Sequence, residues 1–157
     1  MIFVTFGNVP ISFFRLARKV DEIARKSEEE FIVQCGHTDF HFAHAKARKF
    51  LSNGEMAELI DRASVVVTHG GYGTISECMK QGKRVVAVPR TKEEHNHSQE
   101  ELVRALEQEG YVLGVYDIND LEKKLLEARS FVPKQTVKTG VSGLINSFVS
   151  NHILLKK

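Results

Sequence analysis

"VVVTHGGYGTISE", residues 65–77, joins an apolar run to a glycine-rich polar string, and its reading decides the fold. Val65, Val66 and Val67 are β-branched and read as a buried strand. Behind His69 come Gly70, Gly71 and Gly73, then Thr74 and Glu77, which read as a turn into a helix. A chain that leaves its core through glycines brings bare backbone to the surface, so this turn is suited to close approach by something else.

Working outward, "IFVTFGN" gives a first strand at 2–6, with Gly7 and Asn8 as its turn and Pro10 suited to the first turn of a helix. Phe13, Leu16, Val20 and Ile23 then recur at helical spacing. A second strand is read at 31–35 and a short third at 49–51, followed by Ser52 and Glu55 as a capping box. The fourth strand falls at 64–68, the fifth at 84–88 and the sixth at 111–116. Helical patterns lie between and after them at 74–81, 98–109 and 117–128, and Gly82 and Gly110 stand at helix C-caps. Strands alternating with helices predict an α/β, Rossmann-like parallel sheet of about six strands with helices on both faces, in the order 3-2-1-4-5-6. That domain is expected to occupy residues 1–130. Residues 131–157 read as a linker and a C-terminal helix, whose stripe of Val141, Leu144, Ile145, Phe148 and Ile153 either meets a partner or folds back on the sheet.

Composition removes several classes of function. With 157 residues, 42% of them apolar, the chain fits one domain with a core of its own. Twenty-two Lys and Arg against 20 Asp and Glu leave +2, which is no field for nucleic acid. Cys35 and Cys78 are far apart and lie in apolar segments, so reduced thiols and a cytoplasmic setting are expected. No apolar run approaches the ~18 residues of a membrane span, and "IFVTF" lacks a basic leader, so the chain is expected neither to enter nor to cross a bilayer by itself. His37, His41 and His44, and separately His95 and His97, match no closed four-ligand set and read as solvated loop residues, so no metal is expected. Gly71-Tyr72-Gly73 is followed by Thr74-Ile75-Ser76 rather than a third glycine, which argues against a nicotinamide cofactor.

In the expected topology the sheet reverses between strands one and four, and ligands of such sheets bind at the carboxyl ends beside that point. Those ends carry Gly7 and Asn8, and His69 to Gly73. A glycine turn at a helix N-terminus attracts an anion through free N–H groups and the helix dipole, and a diphosphate is the natural guest. Charge-assisted hydrogen bonds of this kind contribute roughly 1.5–3 kcal/mol each, and Thr74 and His69 can add to them. The glycines alone would serve equally as a tight turn. Glu77, one helical turn in, either leans back to accept from sugar hydroxyls or is simply solvated.

"THGGYGTISE" together with "AVPRTKEEHNHSQEEL", "MIFVTFGN" and "KFLSNGEMAELIDRASVVVTHGG" resembles the C-terminal, donor-binding half of glycosyltransferases of family 28, members of the GT-B class. The likeness covers most of residues 1–116. It is similar above all to stand-alone versions of this half, in a split UDP-N-acetylglucosamine transferase of lipid-linked oligosaccharide synthesis and in bacterial exopolysaccharide glycosyltransferases. The resemblance implies that His69, Gly70, Gly71, Gly73 and Thr74 meet the donor diphosphate and that Glu77 holds the ribose hydroxyls. Phe50 and Leu51 would meet the uracil, and Ser98 and Gln99 the sugar, although many relatives carry Asp in place of Ser98. Arg90 and Asn96, in the same loop, are further candidates.

The resemblance further implies transfer of a hexose-type sugar from a UDP-sugar to a lipid-linked acceptor in polysaccharide synthesis, with inversion. His69 would stabilise the leaving group, and no cofactor would be needed. The catalytic base would come from a membrane-anchored, acceptor-binding partner, which holds this subunit at the cytoplasmic face of a membrane. The alternatives are a non-catalytic nucleotide-sugar-binding subunit, or the UDP-N-acetylglucosamine transferase subunit of lipid-linked oligosaccharide synthesis, while a UDP-sugar epimerase or hydrolase on the same architecture usually needs both halves in one chain.

Overall fold

In the computed structural model, which describes residues 1–91, 94 and 99–135, every strand runs parallel to its neighbours. The strands are β1 (Ile2–Thr5), β2 (Phe31–Gln34), β3 (Lys46–Arg48), β4 (Val65–His69), β5 (Val85–Val88) and β6 (Leu113–Gly114). The helices are α1 (Phe14–Lys26), α2 (Asn53–Arg62), α3 (Tyr72–Lys80), α4 (Glu100–Gln108) and α5 (Leu121–Ala128). The sheet order is β3-β2-β1-β4-β5-β6, as the alternating pattern predicts. From β1 the chain steps outward to β3, then returns to the other side of β1 and steps outward again. The two directions part between β1 and β4, and the turns after these two strands therefore face each other.

Strand alternation divides the core into two layers. Ile2 and Val4 of β1, with Phe6 beyond it, pack beside Leu16, Val20 and Ile23 of α1 and Leu121 and Leu125 of α5. Phe3 and Val66 turn to the opposite face, against Ile60 of α2, Ile75 and Cys78 of α3 and Val103 of α4. Because helices cover both faces, β4 is buried along its whole length rather than at alternate positions. Each fully buried aliphatic side chain in these layers contributes about 1.5–3 kcal/mol. Cys35 and Cys78 are free, buried and in different layers. Burial pushes the Cys78 thiol up to about 12, which makes it an inert packing residue.

Among the boundaries that differ from the sequence reading, four have a reason in the local contacts. The third strand lies at Lys46–Arg48 rather than 49–51, in register with Ile32 to Gln34, and all three of its side chains are exposed. The apolar pair Phe50 and Leu51 belongs instead to the connection into α2. The first helix starts at Phe14 and not near Pro10. Thr38 Oγ1 accepts from Phe13 N at 2.9 Å, and the Phe13 ring stands edge-on to Phe6 at 5.8 Å, so the chain must reach the core before it coils. The sixth strand keeps two residues because Tyr111 N still closes α4 by donating to Leu106 O. The helix expected at 117–128 opens as a 3-10 turn over Ile118–Asp120, with Asp117 accepting from Asn119 N.

Gly82 and Gly110 follow α3 and α4 with φ of 63° and 80°, the left-handed conformation of a helix C-cap. After α5 the chain stays on the domain: Arg84 Nε donates to Phe131 O at 3.0 Å, and Lys134 N to Gly110 O at 2.9 Å. The apolar stripe of Val141, Leu144, Ile145, Phe148 and Ile153 lies outside the described residues. Among the described residues, no helix is long and apolar enough to cross a membrane.

Candidate functional site

A cleft of about 230 Å³ opens at the carboxyl ends of β1, β2 and β4. Thr5, Gly7 and Asn8 line it from β1 and its turn, Gln34 from β2, and Leu51, Asn53 and Met56 from the start of α2. His69, Gly71, Gly73 and Thr74 complete it from the passage between β4 and α3. Among the described residues none of the lining side chains is an aspartate, glutamate, lysine or arginine, so what these residues offer a charged ligand is dipoles rather than counter-charge.

Two helix N-termini border this cleft and differ in one respect. The N-terminus of α2 is closed by its own side chains: Ser52 Oγ accepts from Glu55 N, and Glu55 Oε2 accepts from Ser52 N at 2.8 Å. Held by these groups and by Arg48, the Glu55 carboxyl sits at about 2 instead of the ordinary 4.5. The N-terminus of α3 has Gly71 as N-cap, with no side-chain cap. Its first intrahelical bond runs from Ile75 N to Gly71 O, so the amides of Tyr72, Gly73 and Thr74 precede the ladder. Such amides, at the positive end of a helix dipole, suit an anion. A Cβ on Gly73 would meet nothing within 4 Å, so this glycine borders open space.

The floor of the cleft is a buried polar network. Thr5 Oγ1 donates to Gln34 Oε1 at 2.5 Å. Gln34 Nε2 lies 3.1 Å from Gly7 O, 3.2 Å from Asn8 Oδ1 and 3.1 Å from Lys49 O. One amide thus ties the turn after β1 to the connection that leads into α2, and with it two walls of the cleft. His69 is 8% exposed, and its Nδ1 lies 3.5 Å from Thr68 Oγ1.

The structure gathers Gly7, Asn8, Leu51, His69, Gly71, Gly73 and Thr74 at the cleft and places other candidates elsewhere. Gly70 is buried under α4, where a Cβ would meet Gln99 Cβ at 2.6 Å. Gln99 Oε1 accepts from Arg90 N at 3.1 Å. Arg90 does not face the cleft: it is 1% exposed and donates to Phe6 O and Ser12 O at 3.1 and 3.0 Å, with its guanidinium 4.3 Å over the Phe13 ring. It clamps the turn after β1 from behind. Phe50 is exposed and stands edge-on to His37 at 5.1 Å, while its neighbour Leu51 lines the cleft. Glu77 is exposed and accepts from Gln81 Nε2 at 2.9 Å, one turn further along α3, so its carboxylate points away from the mouth.

Asn96 and Ser98, with His95 and His97, lie outside the described residues. Among the described residues, no three His, Cys, Asp or Glu side chains are grouped to hold a metal ion. Thr5, Gln34, Asn53 and Met56 are cleft residues that the sequence reading did not single out. Thr5 and Gln34 carried a usable signal, because each is the polar last residue of an apolar strand beside the switch point.

The family model of the glycosyltransferase family 28 C-terminal domain matches residues 1–145. Among solved structures, the glycotransferase of kitacinnamycin shares 19% identity over 82% of this chain and 34% of its own, with a TM-score of 0.61. The glycosyltransferase VinC, solved in complex with dTDP, shares 14% identity over 82% of this chain and 33% of its own, with a TM-score of 0.57. ALG13, solved by NMR, shares 16% identity over 96% of this chain and 93% of its own, with a TM-score of 0.62. The chain thus spans about a third of the first two structures and nearly the whole of the last.

Proposed function

The chain belongs to the glycosyltransferase family 28 C-terminal domain family, and on that premise we propose that it is the donor-binding, catalytic subunit of a two-component, UDP-sugar-dependent glycosyltransferase. The observation that carries this reading is the uncapped N-terminus of α3, facing the turn after β1 across a cleft that, among the described residues, is lined by no charged carboxylate or cation. A nucleoside diphosphate suits such a place. Its phosphates take the amides of Tyr72, Gly73 and Thr74, with His69 and the Thr74 hydroxyl beside them, and its base lies towards Leu51 and Met56. Glu77 reaches the ribose by exchanging its Gln81 partner for the sugar hydroxyls, a change that an exposed side chain makes at little cost.

In the reaction proposed, an acceptor hydroxyl oxygen attacks the anomeric carbon of a hexose-type sugar. The bond from that carbon to the β-phosphate oxygen breaks, UDP leaves, and the configuration inverts. The negative charge gathering on the diphosphate is met by the α3 amides, the helix dipole and His69. The hydroxyl proton goes to a base on a membrane-anchored partner that binds the lipid-linked acceptor, such as a polysaccharide precursor. Positioned general bases are typically worth 10²–10⁴-fold, so this chain alone binds donor and turns it over poorly.

The test is calorimetric titration of the chain with UDP, UDP-glucose, UDP-galactose, UDP-glucuronate and UDP-N-acetylglucosamine, repeated on Glu77→Ala. Selective binding of one UDP-sugar, weakened in the variant, is expected. No binding with or without a reconstituted partner would overturn the reading. Binding without transfer by the reconstituted pair would leave a non-catalytic nucleotide-sugar subunit.

A further inference from the structure

The His69 imidazole is seated between two glycines from different turns, and we infer that Gly7 and Gly71 are positioning residues that hold this ring at the cleft. A Cβ on Gly71 would lie 2.2 Å from His69 Nε2 and 2.9 Å from both Cδ2 and Cε1. On Gly7 it would lie 2.5 Å from Cε1 and 2.8 Å from Nε2. At both positions the three nearest atoms all belong to this one ring. Non-bonded carbon atoms settle at about 3.5–4.0 Å, so neither approach can be absorbed in place.

The backbone on the β1 side has no room to retreat. Gln34 Nε2 holds Gly7 O at 3.1 Å, and a Cβ on Gly36 would already lie 2.5 Å from that same oxygen. The ring, in contrast, ends a side chain with rotatable bonds. An added side chain at either glycine therefore turns the imidazole out of its seat and leaves the strands where they are.

The two glycines differ in a way that isolates the effect. Gly7 has φ of 76°, so any other residue there is strained whatever its neighbours. Gly71 has φ of −77° and ψ of 128°, which every residue adopts. It is also the N-cap of α3, where serine is ordinarily preferred to glycine. Backbone preference therefore gives no reason for glycine at 71, and the ring does.

That the seated ring serves a diphosphate rests on the donor-binding reading; the seat itself does not. The experiment compares Gly71→Ala, which adds the Cβ without an oxygen that could cap the α3 amides, with His69→Ala and the double variant by titration with UDP and with uridine. It also records the imidazole Cε1–Hε1 resonances by NMR, the His69 signal being the one lost in His69→Ala. Gly71→Ala is expected to shift the His69 resonance, to weaken UDP roughly tenfold or more and to leave uridine unchanged. The double variant should bind UDP no worse than His69→Ala alone, because the obstacle is already gone. Gly7→Ala, in the His69→Ala background, should keep a loss of stability from its backbone.

An unmoved His69 resonance in Gly71→Ala, or additive losses in the double variant, would overturn the seat while leaving the donor reading intact. If the wild-type chain binds no nucleotide with or without its partner, the donor reading fails by itself, and the resonance shift alone decides the seat. Should Gly71→Ala unfold, recovery of a cooperative melt in the double variant supports the seat and failure to recover overturns it.

Discussion

Cavities open at both ends of the sheet, and the more voluminous end is the poorer candidate. At the amino ends of the strands, a cavity of about 500 Å³ lies between α1 and α5. Lys26, Glu28, Glu29, Arg84, Glu122 and Arg129 line it, among apolar residues such as Phe31 and Leu125. At the carboxyl ends the cleft is about 230 Å³, and none of its described lining residues carries such a charge. The difference follows from chain direction. In a parallel sheet with crossover helices, helices end at the lower side and present carbonyls, which the Arg25 and Lys26 pair in the last turn of α1 partly offsets. Helices begin at the upper side and present N–H groups. What an end of the sheet can bind is set by which backbone groups point there, not by its volume.

That contrast can be broken most directly at the upper end. His69→Ala removes one charge-assisted partner of the diphosphate, and UDP binding should weaken roughly 10–100-fold by calorimetry. A variant that bound UDP as tightly as the wild type would detach the cleft from the proposed chemistry. Gln34→Leu should act on stability as well as on binding. It strips the donor from Gly7 O, Asn8 Oδ1 and Lys49 O and the acceptor from Thr5, at a cost of about 1–3 kcal/mol and a fall in Tm of roughly 2–12 °C.

Acid should act on the capped wall of the same cleft. The Glu55 carboxyl is held at about 2 in the folded chain, below its ordinary 4.5, by the Ser52 amide first and then by the Ser52 hydroxyl and Arg48. A depressed pKa means that the cap is complete above about pH 4.5 and is lost as pH falls towards 2. The protection of the Ser52 and Glu55 amides, taken relative to intrinsic exchange at each pH, should therefore fall across that window, and Glu55→Gln, which has no carboxyl to titrate, should remove the dependence. The smallest effect belongs to the lower end: Arg129→Glu should leave UDP affinity unchanged. A loss there would mean that the two ends are coupled, or that the larger cavity is the site.

Much of this was legible before folding because it depends on local rules. The triple valine, the glycine turn and the strand–helix alternation gave sheet order and switch point together, since parallel strands with crossovers admit few arrangements. Ser52 and Glu55 announced the start of α2 within one residue of its place. The third strand was misplaced by three residues because its own side chains are exposed and carry no apolar signal, whereas Phe50 and Leu51, just beyond it, do. Arg90 looked like a ligand contact because a loop arginine beside a site usually is one. Only the fold shows it turned inward onto the Phe13 ring and the carbonyls of Phe6 and Ser12.

By itself, then, the sequence determined the family resemblance, the α/β class and the segment proposed to meet an anion, because glycines, helix caps and buried valines act through their immediate neighbours in the chain. The tertiary structure alone decided what each glycine is for. Gly70 admits α4, Gly73 borders open space, and Gly7 and Gly71 enclose the His69 ring, although the three glycines after β4 sit within four residues of one another. The reason is distance. Gly7 and Gly71 are 64 positions apart in the chain and lie against the same imidazole only because β1 and β4 are neighbours in the sheet.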